Sequence, residues 1–230
     1  MKDGKPAQVK TNKGEQTRTL ILETALEIFR ERGYEETTMR VLAERAGVSL
    51  GNAYHYFSSK EQLIQAFYGR THEEHLLACA EVLKEERDLK TRLLEVMRAK
   101  IATIEPYHQF AGVLFKTAAD PKSHLNPFSP ESSAVREESV ALFGEVVNGS
   151  DARVHKDLRG ELPYMLWIYH MGIILFWIHD GSAERRRTYR LVDATVDIVV
   201  KLINLASNPL MRPLRKGALN LMAELREIES

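Results

Sequence analysis

The sequence has few of the residues and motifs that mark disulfide-bonded, zinc-binding or secreted proteins. It contains a single cysteine, Cys79, among 230 residues, so neither an intramolecular disulfide nor a zinc ribbon can form. The N-terminal segment is polar and lysine-bearing and lacks the apolar core of a secretory signal. We therefore expect a reducing, cytoplasmic setting.

An excess of charge of either sign is also missing. The 32 Lys and Arg residues balance the 32 Asp and Glu residues. This balance argues against a protein that coats nucleic acid through a globally basic surface, although local charge asymmetry can still create a binding face.

Motifs for catalysis are absent as well. There is no Gly-rich phosphate loop, nucleophile elbow, Cys/His dyad or cluster of acids with metal spacing. His72 and His75 lie three residues apart in a helical segment, but without a third ligand a solvated helix face is favoured over a metal pair. We predict no catalytic residues, no cofactor and no metal.

Only one long apolar run occurs, from Leu162 to Ile178. Its 17 residues are at the lower limit for crossing a bilayer, and it contains Pro163, His170 and Gly172. We therefore interpret it as a buried helix and predict no membrane association.

Helical periodicity and helix caps dominate what is present, and they predict an all-α protein. Apolar residues recur at spacings of three and four between Thr19 and Arg32, and Gly33 then ends this helix. The second helix is expected to begin at Thr37 or Thr38 and to end at Gly47. The third is expected to begin at Ser49, and the fourth at a capping box formed by Ser58 and Glu61.

The same signals divide the chain. We predict a flexible polar arm over residues 1–16, a three-helix domain over 17–64, and a larger helical domain over 65–230. Two long helices, at about 157–180 and 182–206, occupy the last third of the sequence.

Residues 38–56 have the spacing of a helix-turn-helix motif, with a tight turn at Gly47 and Val48. Gly51 lets the backbone approach a surface closely, and Leu50 and Asn52 are expected to point outward where base edges are read. Hydroxyl and ammonium donors suited to phosphates follow at Tyr54, Tyr56 and Lys60.

The run TTMRVLAERAGVSLGNAYHYFSSKEQLIQAF, within residues 17–67, resembles the DNA-binding signature of the TetR family of bacterial transcriptional regulators. The resemblance implies phosphate contacts for Thr38 and Tyr54, a base or backbone contact for Arg40, and backbone contacts for Tyr56 and Lys60. It implies base-edge contacts for Leu50, Gly51 and Asn52. Ser49 completes the predicted DNA-binding set, and His55 is assigned to packing or solvent.

The two long C-terminal helices carry broad apolar faces that we expect to form a homodimer interface through a four-helix bundle. The alternative is that these residues form the core of a monomer. The faces comprise Leu166, Tyr169, Ile173, Phe176 and Trp177 on one helix, and Leu191, Ala194, Ile198, Leu202 and Leu205 on the other.

The resemblance further implies a ligand cavity among the middle helices, suited to a small and largely hydrophobic effector. The predicted ligand-binding residues are Tyr107, His108, Phe110, Trp167 and His170, and Phe115 and Phe143 are further aromatic candidates.

The expected function is that of a TetR-like regulator, a repressor that binds a palindromic operator in double-stranded DNA as a homodimer and is released by a small-molecule effector. One alternative is a helical protein of the same fold that binds small molecules without binding DNA. An enzyme is the other alternative.

Overall fold

The computed structural model describes residues 13–228, and within that range the chain is built from α-helices and short turns without a β-strand. This confirms the predicted all-α class, with an N-terminal helix-turn-helix unit followed by a larger helical domain. The helices are α1 (Lys13–Arg32), α2 (Met39–Arg45), α3 (Leu50–Tyr56), α4 (Lys60–Glu85), α5 (Leu89–Ile104), α6 (His108–Ala118), α7 (Ser133–Asn148), α8 (Lys156–Arg159), α9 (Leu162–Ile178), α10 (Arg186–Ala206) and α11 (Arg212–Ile228).

Helix α1 begins at Lys13, so the last four residues of the predicted flexible arm are helical. The hydroxyl of Thr17 donates a hydrogen bond of 2.9 Å to the carbonyl of Lys13 within this first turn. Residues 1–12 of the predicted arm lie outside the described residues. At its other end the helix stops at Gly33, whose φ of 85° is accessible at low cost to glycine.

The caps of α2 and α3 occur where the sequence predicts them. Thr38 Oγ1 accepts a hydrogen bond from the Val41 amide at 3.2 Å, and Ser49 Oγ accepts one from the Asn52 amide at 3.1 Å. Gly47, between the two helices, has a φ of 66°. These side-chain bonds satisfy amides that lack intrahelical partners and so fix the start of each short helix.

The start of α4 differs from the prediction by one residue. Ser59, not Ser58, is the N-cap, and its Oγ accepts a hydrogen bond from the Gln62 amide. The Gln62 side chain accepts from the Ser58 amide at 2.9 Å, while Glu61 accepts from the Tyr34 hydroxyl at 2.6 Å. Glu61, expected to complete a capping box with Ser58, ties the start of this helix to the turn after α1 through Tyr34.

The described part of the chain contains two hydrophobic cores, and helices α4 and α6 contribute to both. The N-terminal core contains the buried residues of α1 to α3 and the start of α4, together with Phe110, Leu114 and Ala118 of α6. The second core is built from α4, α5, α7, α9 and α10. Helix α4 continues without interruption through the domain boundary expected at residues 64 and 65.

The apolar run of residues 162–178 forms a helix within the second core. The helix predicted at about 157–180 is two helices, because α8 ends at Arg159 and α9 begins at Leu162 after a short turn. Helix α9 contacts α5, α6, α7, α8 and α10, and it meets α4 through the rings of His170 and His75. Within residues 13–228, no helix has the length and apolar character needed to cross a membrane.

A buried carboxylate holds the corner between α9 and α10. Asp180, 2% exposed, accepts hydrogen bonds from the Ser182 amide at 2.9 Å and from the amide and hydroxyl of Thr188 at 2.9 and 2.7 Å. Burial alone would raise the pKa of Asp180, but these hydrogen bonds outweigh it and hold the pKa well below its usual value. Helix α10 therefore begins at Arg186, four residues after the predicted start.

Candidate DNA-binding surface and ligand cavity

The second helix of the helix-turn-helix motif, α3, is anchored by two buried side chains. Ala53 is fully buried, and Phe57 at the C-cap is 1% exposed. Leu50 and Tyr56 also pack partly against the N-terminal core, so Leu50 points outward less than the sequence suggested. The outward surface of α3 is formed by Gly51, Tyr54 and His55, with Asn52 partly exposed.

Gly51 is not required by the packing of the protein itself. A Cβ atom built at this position would meet no other atom within 4 Å, and the backbone φ is not positive. Glycine weakens a helix relative to alanine, and at this exposed position of α3 the missing side chain leaves room for close approach by a partner.

Polar side chains around α3 remain available for an external partner. Tyr54 is 48% exposed, and its hydroxyl makes no hydrogen bond within the described residues. Thr38 uses its oxygen as the α2 cap, which leaves its hydroxyl hydrogen free to donate. Arg40 is exposed on the same short helix. His55 is exposed and packs edge-on against the ring of Tyr56, with centroids 5.2 Å apart.

Lys60 has a structural role that the sequence did not indicate. Its Nζ donates to the carbonyls of Tyr34 at 2.7 Å and Glu35 at 3.4 Å, and it lies 4.3 Å from the centre of the Tyr34 ring. Two of its three donors are therefore used to hold the turn after α1 against the start of α4.

A cavity of about 220 Å³ lies among α4, α5, α6, α7 and α9. Of the predicted ligand-binding residues, Tyr107, Trp167 and His170 line it, and so does Phe115. The lining residues that were not predicted to bind the ligand include Phe67, Tyr68, Lys100, Leu114, Ile174 and Trp177, the last of which was assigned to the dimer face. They belong to four different helices, so no local pattern relates them.

His108, Phe110 and Phe143 were candidates for the cavity, but none of them lines it. His108 Nε2 is 2.8 Å from the Trp177 carbonyl, and its ring packs edge-on against the Trp177 indole. Phe110 faces the opposite side of α6 and belongs to the N-terminal core. Phe143 is buried in the second core, where it packs behind His170.

The histidines of α4 are buried, so the prediction of a solvated face for His72 and His75 is wrong. They are 1% and 2% exposed, and His75 Nε2 lies 2.9 Å from the Val96 carbonyl. His72 Nε2 is 3.4 Å from a carboxylate oxygen of Glu138 in α7. Among the described residues, no group of three or more His, Cys, Asp or Glu side chains is arranged to hold a metal ion.

Burial keeps these imidazoles neutral. It lowers the pKa of His75 to about 3, with the nearby charge of Lys100 as a second cause. The pKa values of His72 and His170 are lowered by burial and then by Lys100 in the same way. The rings of His75 and His170 stack with centroids 6.1 Å apart, so α4 and α9 meet through neutral imidazoles beside the cavity.

Helix α10 presents an apolar face that the described residues leave exposed. Ile198 and Leu202 are each 54% exposed and Leu205 is 48% exposed, with Ala194 exposed on the same face. On α9 the prediction was partly wrong, because Leu166, Ile173 and Trp177 are buried in the core of the chain. The most exposed large apolar residue of α9 is Leu175, which is 44% exposed and also lines the rim of the cavity.

Comparison with known families decides the identity of this architecture. Residues 21–67, which contain the helix-turn-helix, match the model for bacterial regulatory proteins of the tetR family. Residues 92–218 match the model for the tetracyclin repressor-like C-terminal domain. The chain belongs to the TetR family.

TetR-family regulators are also found among individual proteins similar to this chain. The HTH-type transcriptional regulator TtgR of Pseudomonas putida is 26% identical over 191 residues, which cover 80% of this chain and 85% of TtgR. UidR of Escherichia coli is 48% identical over 50 residues, or 22% of this chain and 26% of UidR. The TetR regulator structure from Nitrosomonas europaea shares the fold with a TM-score of 0.63 and 17% identity, covering 79% of this chain and 96% of that one.

These similarities make the chain a TetR-family transcriptional regulator with a DNA-binding helix-turn-helix domain. They relate the chain to regulators and not to enzymes.

Proposed function

We propose that this TetR-family protein is a homodimeric repressor that acts in the cytoplasm, where its double-stranded DNA operator is, and is released by a small, largely apolar effector. The observation that carries the proposal is the position of α6. Phe110 on one side of this helix belongs to the core of the DNA-binding domain, while Ala111 and Phe115 line the cavity. The cavity and the core of the DNA-binding domain therefore share helix α6.

DNA contacts are assigned to the surface around α3. Gly51 allows close approach of the backbone to the major groove, and Asn52 is placed to read base edges. Phosphates are contacted by the hydroxyls of Tyr54 and Thr38 and by Arg40. The flanking positions Ser49, Leu50, Tyr56 and Lys60 complete the surface, with Ser49 and Lys60 mainly holding the geometry of α3 and α4.

A dimer is supported by the uncovered apolar face of α10. Ile198, Leu202 and Leu205 recur every three or four residues and so form one stripe along the helix. Pairing this stripe with its symmetry mate, together with Leu175 of α9, would give a four-helix interface. Two α3 helices would then contact an inverted repeat with half-sites about one DNA turn or somewhat more apart.

Two connections link effector binding to the DNA-binding domain. Arg70 of α4 donates a hydrogen bond of 2.9 Å to the hydroxyl of the cavity residue Tyr107 and forms an ion pair with Glu23 of α1. Phe110 supplies the second connection. An effector that shifts α4 and α6 would move the two α3 helices out of register with the grooves, and about 1–3 kcal/mol of coupling suffices for regulation.

The proposal is tested by selecting duplexes from a random DNA library with the purified protein and footprinting the selected site. We expect an inverted repeat that is protected symmetrically and bound more weakly as salt is raised. Selection of no sequence, or a footprint without two-fold symmetry, would contradict the proposal. A panel of apolar compounds is then tested for release of the selected duplex.

A further inference from the structure

The cavity is apolar along most of its wall but has a polar end. Phe67, Phe115 and Trp167 belong to its aromatic wall. We define this polar end by Lys100 of α5 and His170 of α9, which both line the cavity and lie close enough for the charge of Lys100 to lower the pKa of His170. An effector that matched only the aromatic wall would leave this end without a partner.

Lys100 brings an uncompensated positive charge to the cavity. Within the described residues its ammonium has no hydrogen-bond or ion-pair partner, and the residues that line the cavity include no Asp or Glu. Burial lowers the pKa of Lys100 to about 8, so the group still carries its charge at neutral pH. The other lining cation, Arg136, donates to the carbonyls of Pro127 and Ser129 at 2.8 and 3.1 Å.

His170 adds an unsatisfied hydrogen-bonding group at the same end. Its side chain is 4% exposed, and neither ring nitrogen has a hydrogen-bond partner. A neutral imidazole carries one N–H donor and one acceptor, and leaving them unbonded in a buried site costs free energy. A ligand atom in the cavity that accepts a hydrogen bond would remove part of that cost.

We propose that the effector is a small apolar carboxylic acid whose carboxylate pairs with Lys100 and accepts a hydrogen bond from His170. This inference rests on the proposed function of the cavity as the effector site. One cation without a partner, Lys100, and one neutral donor match a carboxylate monoanion. The volume of about 220 Å³ is below the range of about 300–1,000 Å³ of most ligand sites, which restricts the apolar part to a short chain or a single ring.

The inference can be tested with two matched pairs of probes, octanoate against octanamide and 4-phenylbutanoate against 4-phenylbutanamide. Both tryptophans of the chain, Trp167 and Trp177, line the cavity, so their fluorescence reports occupancy without DNA. We expect each carboxylate to bind about tenfold or more tightly than its amide, because a charged hydrogen bond is stronger than a neutral one.

Substitution of Lys100 distinguishes the contribution of its positive charge to octanoate binding from that of its apolar stem. Lys100→Met keeps the apolar stem and should lose most of the preference for octanoate while binding octanamide as before, and Lys100→Arg should retain the preference. Lys116→Met, which removes an exposed lysine of α6, serves as the matched control. His170→Phe should weaken octanoate binding and leave the binding of octanamide less affected.

The outcomes distinguish this inference from the proposed function. Equal binding of acid and amide, or undiminished octanoate binding by Lys100→Met, would overturn the carboxylate assignment and leave an effector cavity in place. Tighter binding of the acids without any change in affinity for the selected DNA would support the carboxylate site and contradict the regulatory role. Binding of neither member of either pair would overturn the carboxylate assignment.

Discussion

The ring of Phe110 in α6 stacks on the ring of Phe29 in α1, with centroids 5.9 Å apart and an angle of 13° between the planes. Phe67 of α4 packs edge-on against the same ring at 5.2 Å. The N-terminal domain is therefore packed around a residue of the ligand-binding half of the chain, and a displacement of α6 cannot leave α1 unaffected.

Phe110→Leu should uncouple effector binding from DNA release. Leucine keeps the site apolar but removes the stacked ring, so the effector should still change tryptophan fluorescence while altering DNA affinity less than in the wild type. The change is measured as the ratio of DNA affinities with and without effector. Val147→Ala, a fully buried substitution in α7, controls for general destabilisation and should leave that ratio unchanged.

Gly51→Ala should impair DNA binding in a protein that is at least as stable as the wild type. The added methyl meets no atom of the chain and favours the helix by up to about 1 kcal/mol, but it would meet the DNA. We expect binding of the selected duplex to weaken by about tenfold or more. Gly69→Ala in α4 also adds a methyl in open space and should leave DNA affinity unchanged. Tight binding by Gly51→Ala would remove the argument for close backbone approach.

Tyr54→Phe and Lys60→Met should have different effects. Loss of the Tyr54 hydroxyl should weaken DNA binding by about tenfold with no loss of stability, because this group has no partner within the described residues. Lys60→Met should also lower the free energy of unfolding, by about 1–3 kcal/mol, because its bonds to the Tyr34 and Glu35 carbonyls are lost. Denaturant unfolding and DNA titration measure the two quantities.

The control for Tyr54→Phe is Tyr189→Phe in α10, which also removes a tyrosine hydroxyl but lies in the other domain. It should leave DNA affinity unchanged. An unaltered unfolding free energy in Lys60→Met would show that its contacts with the turn after α1 do not contribute to stability.

Leu202→Glu should produce a folded monomer. The side chain is 54% exposed in the single chain, so a charge there is tolerated by the monomer but would be buried in the proposed interface. Light scattering measures the mass, and circular dichroism confirms the helix content. Leu77→Glu changes a 78% exposed leucine of α4 and should leave the dimer intact. A dimeric Leu202→Glu would place the interface elsewhere.

Octanoate affinity should be nearly constant from pH 6 to 7.5 and then fall as the pH rises through the pKa of Lys100, about 8, by up to about tenfold per unit. Deprotonation removes the cation while octanoate stays anionic, so binding is lost on the alkaline side. Octanamide binding, measured by the same fluorescence titration, should not follow this profile.

Other titratable groups near Lys100 do not change charge in that interval in a way that reverses the trend. Burial raises the pKa of Cys79 to about 12, and the nearby histidines stay neutral because burial lowers their pKa values. The remaining acids near this end are Glu74 of α4 and Glu138 of α7, the latter beside His72. An octanoate affinity that rises between pH 7.5 and 9 would contradict a cationic Lys100 as the partner.

Local signals in the sequence were sufficient for the helix-turn-helix. Gly33 and Gly47 supply positive φ angles, and Thr38 and Ser49 cap the helices that follow them, because each of these effects acts within three or four residues. The cap of α4 was assigned to Ser58 and not to Ser59 because adjacent serines offer the same chemistry. The hydrogen bond from the Tyr34 hydroxyl to Glu61 joins residues 27 positions apart, so no local pattern could reveal it.

The cavity could be only partly predicted, because its wall depends on which side of each helix faces inward. Tyr107, Trp167 and His170 were found as aromatic and imidazole residues, but Phe110 has the same chemistry and faces the other core. Lys100 resembles any surface lysine until α5 is packed against its neighbours, and His72 and His75 were assigned to solvent for the same reason.

The sequence by itself determined the helical class, the helix-turn-helix and the partner class, since periodicity, caps and the signature run depend on short-range spacing. Only the tertiary structure decided which apolar residues of α9 and α10 remain exposed, which side of α6 faces the cavity, and that a lysine ends without a counterion beside a buried histidine. Those features depend on how helices that are distant in the sequence pack together. Side chains are desolvated and brought into contact only by that packing.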